Sequence, residues 1–232
     1  MTGFLYGIGV DPGDPELLTL KAVRLLREAD VIAYPAPLEG ESMARSIAAP
    51  HIPHDKTEIA IRLPFTPDRA DTEARYDRAS DLLGAHLSAG RNVALLCLGD
   101  PLLYGTFVHM LARIAGRFDV SVVPGVSSVA AAAAAIPLPL AAGDETLAIV
   151  PATLSEDAIV ARIGAADTAA IVKIGRHLGK VRRAVESLGL GTRARYVEFA
   201  ATGAQRIQIL SEVAEDSAAY FAIVLVRKKV LQ

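Results

Sequence analysis

The 232-residue chain has a single cysteine, Cys97, and no excess of either charge. One thiol cannot close an internal disulfide, which removes the main stabilising device of small secreted domains. Its 24 Lys and Arg residues nearly balance 26 Asp and Glu residues, for a formal net charge of -2. Proteins that bind nucleic acid usually carry clustered basic residues, so this balance disfavours a nucleic-acid partner.

The sequence also lacks a long apolar run. The longest candidate, 129–142, is mostly alanine and is interrupted by Pro137 and Pro139. It is shorter than the ~18 apolar residues that a membrane span requires. We therefore predict a buried helix followed by a linker here, and no membrane partner. No charged, apolar, small-residue signal precedes the first apolar run at Phe4, so we expect a cytoplasmic protein.

Apolar runs alternate with stretches of helical periodicity through the first half of the chain. This alternation predicts an α/β domain with a mainly parallel sheet covered by helices. The predicted strands are 4–10, 31–34, 93–96 and 120–123, and the predicted helices are 17–27, 71–87 and 104–114.

The second half has a different pattern. Strand-like runs at 147–150 and 170–172 are separated by a helix, but those at 196–199, 206–210 and 220–226 follow one another closely. Crossover helices do not fit between the last three, which predicts antiparallel pairings in a mixed sheet. The change of pattern predicts a domain boundary near residue 138, with α/β domains at 1–138 and 139–232.

Three glycine-containing loops follow predicted strands. The first, Gly7-x-Gly9-x-x-x-Gly13, differs from a dinucleotide fingerprint because its third glycine comes one residue late. It is as well explained by a structural turn as by a binding site. The second contains Gly99-Asp100-Pro101, where Asp100 is either a functional carboxylate or the cap of the next helix.

The third loop is Pro124-Gly125-Val126-Ser127-Ser128, in which either serine is also a candidate helix cap. Loops that follow parallel strands gather at one edge of the sheet, where ligands bind. The convergence of three such loops is stronger evidence for a binding site than any one of them.

Other reactive side chains have simpler interpretations. His51 and His54 are separated by Pro53, which breaks a regular helix, and no ligand cluster with zinc spacing accompanies them. We predict surface histidines and no metal site. Cys97 is predicted to be a buried thiol.

The three loops together resemble the tetrapyrrole methylase family, also called corrin and porphyrin methyltransferases. Segments 6–22, 99–101 and 124–128 carry the resemblance. Further segments resemble the precorrin-2 C(20)-methyltransferase branch of that family. These are Tyr34-Pro35, Ser42-Met43-Ala44-Arg45, Tyr76-Asp77, Tyr104-Gly105, Lys173-Ile174-Gly175-Arg176 and Tyr196-Val197-Glu198.

The resemblance implies two α/β domains with S-adenosylmethionine in the cleft between them, usually in a homodimer. It implies methylation of precorrin-2 at C(20) to give precorrin-3A in cobalamin biosynthesis, with S-adenosylhomocysteine as the other product. The cofactor contacts carried over from the family are Pro12, Leu98, Gly99, Asp100, Leu103, Ser127, Ser128, Ile174 and Ala200.

Catalytic and substrate-binding residues are expected beside the cofactor. Asp100 and Glu198 are candidates for a general base, on their motif positions alone. Precorrins carry many carboxylates, which cationic side chains bind well, although each cation taken singly is better explained as part of a solvated face. The candidate cations are Lys21, Arg45, Lys173 and Arg176.

Two residues depart from the family pattern. Asp11 stands where glycine is common, which adds a negative charge near the expected substrate cleft. Phe199 stands where a basic residue is usual, which removes a possible carboxylate partner. The alternatives left open are a cobalt-containing factor II, uroporphyrinogen III or the histidine modified by diphthine synthases as substrate, and a catalytically silent S-adenosylmethionine-binding sensor or assembly partner.

Overall fold

The computed structural model of the chain describes residues 1–64, 69–214 and 217–229. The chain divides into two compact units, Met1–Ser127 (the first unit) and Ser128–Gln232 (the second unit). Within the described ranges, no helix combines the length and apolar character needed to cross a membrane. The predicted domain boundary near residue 138 lies just C-terminal to this division and stays a prediction.

The first unit is an α/β structure built on a parallel sheet. Its strands are β1 (Leu5–Val10), β2 (Val31–Pro37), β3 (Thr57–Leu63), β4 (Val93–Leu98) and β5 (Val120–Val123). Its helices are α1 (Leu20–Glu28), α2 (Met43–Ala48), α3 (Arg69–Ser88) and α4 (Phe107–Ile114). The strand order is β3-β2-β4-β1-β5, and the described pairings are all parallel, which confirms the prediction of a mainly parallel sheet.

Helices cover both faces of this sheet. On one face Leu5 and Leu95 pack in a core with residues of α3 and α4. On the other face Ile8 and Leu96 pack with residues of α1 and α2. A strand buried on both faces needs a continuous apolar run rather than an alternating one, which explains why β1 and β4 were recognisable from the sequence.

The differences from the predicted elements have local causes. The helix expected at 17–27 starts only at Leu20, where Thr19 Oγ1 accepts a hydrogen bond from the N–H of Ala22 (3.1 Å). The helix expected at 104–114 starts at Phe107, because Tyr104 has a left-handed φ of 57°. Strand β3 was not predicted, since this edge strand exposes Glu58 and other polar side chains.

The second unit is also α/β, with a mixed sheet. Its strands are β6 (Leu147–Pro151), β7 (Thr168–Val172), β8 (Ala194–Glu198), β9 (Arg206–Ile209) and β10 (Ala222–Arg227). Its helices are α5 (Ser128–Ala135), α6 (Glu156–Ala165) and α7 (Leu178–Ser187). The strand order is β6-β7-β10-β8-β9, with β6 and β7 parallel and the other pairings antiparallel. The antiparallel prediction is confirmed, and α5 is the predicted alanine helix, with Val129 and Ala132 buried.

Ion pairs fasten the segment between α5 and β6 to this sheet. The Arg227 guanidinium donates to the carbonyl of Pro139 (2.8 Å) and forms an ion pair with Glu145 (2.8 Å). Asp167 accepts hydrogen bonds from the N–H (2.9 Å) and hydroxyl (3.1 Å) of Thr146 and pairs with Lys229 (3.2 Å). The Thr146 bonds, with Lys229, lower the pKa of Asp167 from 3.8 to about 2.

We expect Asp167→Asn to lower the thermal unfolding midpoint at neutral pH, and the difference from wild type to shrink as pH falls from 4 to 2. A carboxylate with a lowered pKa stabilises the fold above its unfolded-state pKa, and this contribution is lost as pH falls through the folded-state value. Circular dichroism melts across this range test the expectation. Asp81→Asn is the control, because Asp81 is an exposed residue of α3 in the first unit. A difference for Asp167→Asn that stays constant down to pH 2 would contradict it.

Candidate functional site

The three glycine-containing turns of the first unit lie at one edge of its sheet. Strand β1 pairs in parallel with β4 on one side and β5 on the other, so these three strands end together. The turns that follow them, 11–14, 99–106 and 124–127, therefore share this edge, which we call the carboxyl edge. The convergence expected from the sequence is confirmed.

Glycine backbones are in direct contact at the carboxyl edge. A Cβ atom added to Gly9 would lie 2.5 Å from the nitrogen of Gly125 and 2.7 Å from the carbonyl oxygen of Gly99. Gly99 itself has a left-handed φ of 67°. A side chain at Gly9 has no room, so glycine is required there for the close approach of backbones. Gly7 has a different role, since its Cβ would collide with the Phe107 ring (2.5 Å).

Asp100 connects the turns that follow β4 and β5. Its Oδ1 accepts a hydrogen bond from the N–H of Leu102 (2.9 Å), and its Oδ2 accepts one from the N–H of Gly125 (3.2 Å). Helix α4 begins at Phe107 after the N-cap Thr106, so the interpretation of Asp100 as a helix cap is wrong. The carboxylate holds two turns of the candidate site together.

Asp11 closes the turn that follows β1. Its Oδ1 accepts hydrogen bonds from the N–H groups of Gly13 (2.6 Å) and Asp14 (2.6 Å). The side chain is only 1% exposed, and its Oδ2 has no hydrogen-bond partner among the residues that the structure describes. Burial raises the pKa of this carboxyl above 3.8 because desolvation penalises the charged form.

The second unit brings its candidate residues together at one sheet edge in a similar way. Strands β7 and β8 both run antiparallel to β10, so they run parallel to each other and end at the same edge. Ile174 follows β7 and Ala200 follows β8, and both are buried. Lys173 (φ 57°) and Phe199 (φ 47°) begin the two turns in left-handed conformations.

Residues 218–221, which belong to none of the motifs listed above, lie between these two turns. The N–H of Ala218 donates to the carbonyl of Gly175 (2.9 Å), and the N–H of Phe199 donates to the carbonyl of Phe221 (2.9 Å). Residues 218–221 lead into β10, whose antiparallel direction starts it at the edge where β7 and β8 end. The antiparallel pairing predicted from the sequence therefore indicated that residues 218–221 lie at this edge.

Glu198 lies in a buried network at this edge. Its Oε1 accepts from the Tyr196 hydroxyl and from the N–H of Ala219 (3.2 Å), and its Oε2 accepts from Arg206 Nε (2.8 Å). Arg206 is thus a cationic partner of Glu198. Burial and the contact with Glu198 raise the pKa of Tyr196, so its hydroxyl stays a donor.

The chain matches the family of tetrapyrrole (corrin/porphyrin) methylases over residues 4–214. It is 38% identical to the precorrin-2 C(20)-methyltransferase of a Sinorhizobium species, over 97% of this chain and 95% of that protein. It is 42% identical to the cobalamin biosynthesis protein CobIJ of Mycobacterium tuberculosis, over 96% of this chain. The chain spans 46% of CobIJ, about half its length.

This chain belongs to the tetrapyrrole methylase family. A solved relative agrees with this assignment. The uroporphyrin-III C-methyl transferase of Thermus thermophilus, complexed with S-adenosylhomocysteine, superposes with a TM-score of 0.70 at 25% identity. The superposition covers 97% of this chain and 98% of that one.

The other cofactor positions carried over from the family lie beside the turns already described. Pro12 is buried in the first turn, and Leu98 and Leu103 are half-buried on either side of the Gly99 turn. Ser127 ends the first unit and Ser128 begins α5. Their roles in holding a cofactor stay predictions.

The four cations predicted to bind substrate differ in their surroundings. Lys21 is exposed near the start of α1, and Lys173 and Arg176 are exposed in the turn after β7. Arg45 instead makes a bidentate pair with Glu58 (3.0 and 2.8 Å), which lowers the pKa of that carboxyl. A substrate carboxylate has to compete with Glu58 for this guanidinium.

The remaining reactive side chains lie outside these turns. Cys97 is a buried thiol, as predicted, and burial raises its pKa to about 12. His54 is exposed and His51 is half-buried. Among the residues described, no group of three or more His, Cys, Asp or Glu side chains is arranged to hold a metal ion.

We expect Gly9→Ala to destabilise the fold by about 1–3 kcal/mol, because the added methyl group meets backbone atoms, which cannot move aside as a side chain can by changing its rotamer. Gly164→Ala is the matched control: it lies in α6, and no described atom is within 4 Å of its added Cβ. This control should be neutral or stabilise by up to about 1 kcal/mol through helix propensity. Urea unfolding measures both, and equal midpoints for the two variants would show that the glycine contact is dispensable.

Proposed function

We propose that this chain is an S-adenosylmethionine-dependent C-methyltransferase that methylates precorrin-2 at C(20) to give precorrin-3A in cobalamin biosynthesis. The observation that carries the proposal is the match to the Sinorhizobium precorrin-2 C(20)-methyltransferase, which spans nearly the whole of both chains. The converging turns at the carboxyl edge support it, because they provide a site for the cofactor that such an enzyme needs.

The residues present fit a nucleoside cofactor. The contact of Gly9, Gly99 and Gly125 leaves the turns without projecting side chains, so backbone groups can approach a ligand closely. The Thermus relative binds S-adenosylhomocysteine, the product form of this cofactor. We propose that the turns after β1, β4 and β5 hold the methionine portion and that Ile174 and Ala200 flank the adenine.

When bound, S-adenosylmethionine supplies a methyl group on a positively charged sulfur. The new carbon–carbon bond forms at C(20) of the substrate as the carbon–sulfur bond breaks, the sulfur keeps the electron pair, and C(20) loses a proton. The protein's main task is to hold the two reactants at attack distance. Asp100 contributes by fixing the turn of Gly99 to the turn of Gly125.

Asp100 and Glu198 are the proposed acceptors for the proton that leaves C(20). Asp100 is half-buried at the carboxyl edge, and its two carboxylate oxygens retain lone pairs beyond the two backbone hydrogen bonds. Glu198 is more enclosed, and its oxygens already face three donors. This difference favours Asp100 as the base. It favours Glu198 as a residue that orders the sheet edge of the second unit where β7 and β8 end.

The exposed cations Lys21, Lys173 and Arg176 are proposed to bind substrate carboxylates. Their exposure leaves the charged groups accessible, and charge-assisted hydrogen bonds to carboxylates are about twice as strong as neutral ones. Arg45 joins them only if its pair with Glu58 opens.

We further propose that the enzyme acts in the cytoplasm as a homodimer. This proposal rests on the family resemblance, and light scattering of the purified chain tests the dimer.

Incubation of the purified chain with S-adenosylmethionine and either metal-free precorrin-2 or its cobalt complex tests the proposed activity. Mass spectrometry should show one added methyl group, and isotopic labelling should place it at C(20). Methylation at another carbon would move the assignment to another member of the family. No methylation of either substrate, or of uroporphyrinogen III, would leave a silent cofactor-binding protein.

We expect Asp100→Asn to lower kcat by about 100-fold. The amide does not take up a proton, and its NH2 group would oppose one of the two backbone N–H groups that Oδ1 and Oδ2 of Asp100 accept. Single-turnover rates and S-adenosylhomocysteine affinity, measured together, separate the proton-transfer role from the positioning role. Asp119→Asn is the control, since this exposed residue precedes β5 at the opposite end of the strand. A kcat for Asp100→Asn equal to that of the control would remove Asp100 from the mechanism.

A further inference from the structure

Asp11 presents a buried carboxylate oxygen that the fold itself does not use. The residue follows β1, the strand between β4 and β5, and so lies in the middle of the carboxyl edge. Its two oxygens have different environments. Oδ1 accepts the two backbone hydrogen bonds that close the turn, whereas Oδ2 has no partner among the described residues.

The missing partner has an energetic cost. Oδ2 has almost no solvent-accessible surface, and a buried acceptor left unpaired costs about 1–3 kcal/mol, more when the group is charged. The turn needs only Oδ1, so the closure of the turn does not explain the second oxygen. A buried polar group without a partner in the protein is explained when a ligand supplies the partner.

The chemistry of Oδ2 defines that partner. An ionised carboxylate only accepts hydrogen bonds, and it prefers donors that carry positive charge or acidic protons. The turn 11–14 contains a second acidic residue, Asp14, and no cation. The charge of Asp14 contributes to raising the pKa of Asp11. A hydrogen-bond donor is therefore the group that would complete the environment of Oδ2.

We propose that Oδ2 of Asp11 accepts a hydrogen bond from an N–H group of the bound ligand and thereby selects ligands that carry this donor. The inference rests on the proposed function, which supplies two sources of such a donor. One is the amino-acid ammonium of S-adenosylmethionine. The other is the set of inner N–H groups of a metal-free tetrapyrrole.

The two sources have different consequences for substrate choice. A cobalt ion in the macrocycle replaces inner N–H protons, so the cobalt complex lacks donors that the metal-free ring has. A site built to bind an N–H group discriminates strongly against an analogue without it, because the buried acceptor is then left unpaired. With a tetrapyrrole donor, Asp11 makes the enzyme prefer the metal-free substrate, whereas an ammonium donor makes Asp11 a determinant of cofactor affinity.

Two variants separate the roles of the two oxygens. In Asp11→Asn an amide oxygen still accepts from Gly13 and Asp14, while an NH2 group replaces Oδ2 and opposes a donor. In Asp11→Gly both oxygens are lost. Calorimetric titration with S-adenosylhomocysteine and kcat/KM for metal-free and cobalt-containing precorrin-2 are measured for both variants and wild type, with circular dichroism to confirm folding.

We expect Asp11→Asn to lose about 10- to 100-fold, either in S-adenosylhomocysteine affinity or in the ratio of kcat/KM for the metal-free over the cobalt substrate. The first result assigns the donor to the cofactor, and the second assigns it to the tetrapyrrole. An Asp11→Asn variant that matches wild type in both, with only Asp11→Gly impaired, overturns the inference and leaves a turn-closing residue. The inference is also overturned if wild type prefers the cobalt substrate and either variant abolishes that preference.

These outcomes are distinct from failure of the proposed function. If wild type methylates neither substrate but binds S-adenosylhomocysteine, the function is wrong while the calorimetric test of Asp11 still applies. If wild type methylates precorrin-2 and Asp11→Asn behaves as wild type, the function stands and the inference fails.

Discussion

The contact between the backbones of Gly9, Gly99 and Gly125 is the constraint on which the candidate site depends. These residues follow or end three adjacent parallel strands, and a single methyl group at Gly9 would come within 2.5 Å of the neighbouring backbone. Because the turns touch through their main chains, their relative positions are fixed without side-chain adjustment. Asp100 adds a hydrogen bond across the same contact and holds the turn of Gly125.

In the second unit, the turns at one sheet edge are also held by contacts between backbones. The turns after β4, β7 and β8 each begin with a residue in the left-handed conformation, at Gly99, Lys173 and Phe199. Such a conformation costs a non-glycine residue of the order of 1 kcal/mol, and such residues cluster at functional sites. Here Ala218 donates a hydrogen bond to one turn and Phe221 accepts one from the other, and these bonds offset that cost. In each unit a turn that begins in the left-handed conformation is thus held by neighbouring backbone.

The sequence predicted the parts of this structure that depend on local pattern. The continuous apolar runs of β1 and β4 identified the central strands, and their parallel order was enough to bring the turns to one edge. Side-chain pairings between residues far apart in the sequence could not be predicted from local pattern. Glu58 lies 13 residues from Arg45, and only the fold shows that this carboxylate already occupies a guanidinium predicted for substrate. The unpaired Oδ2 of Asp11 was equally hidden, because burial of a single atom has no sequence signal.

An NMR titration of isotopically labelled protein with S-adenosylhomocysteine tests the central claim most directly. We expect the largest amide shift changes at Gly99, Asp100 and Gly125, with smaller changes around Gly13, because these groups border the carboxyl edge. Saturable binding that leaves these amides unshifted and perturbs a different part of the first unit would show that the glycine contact serves the fold alone.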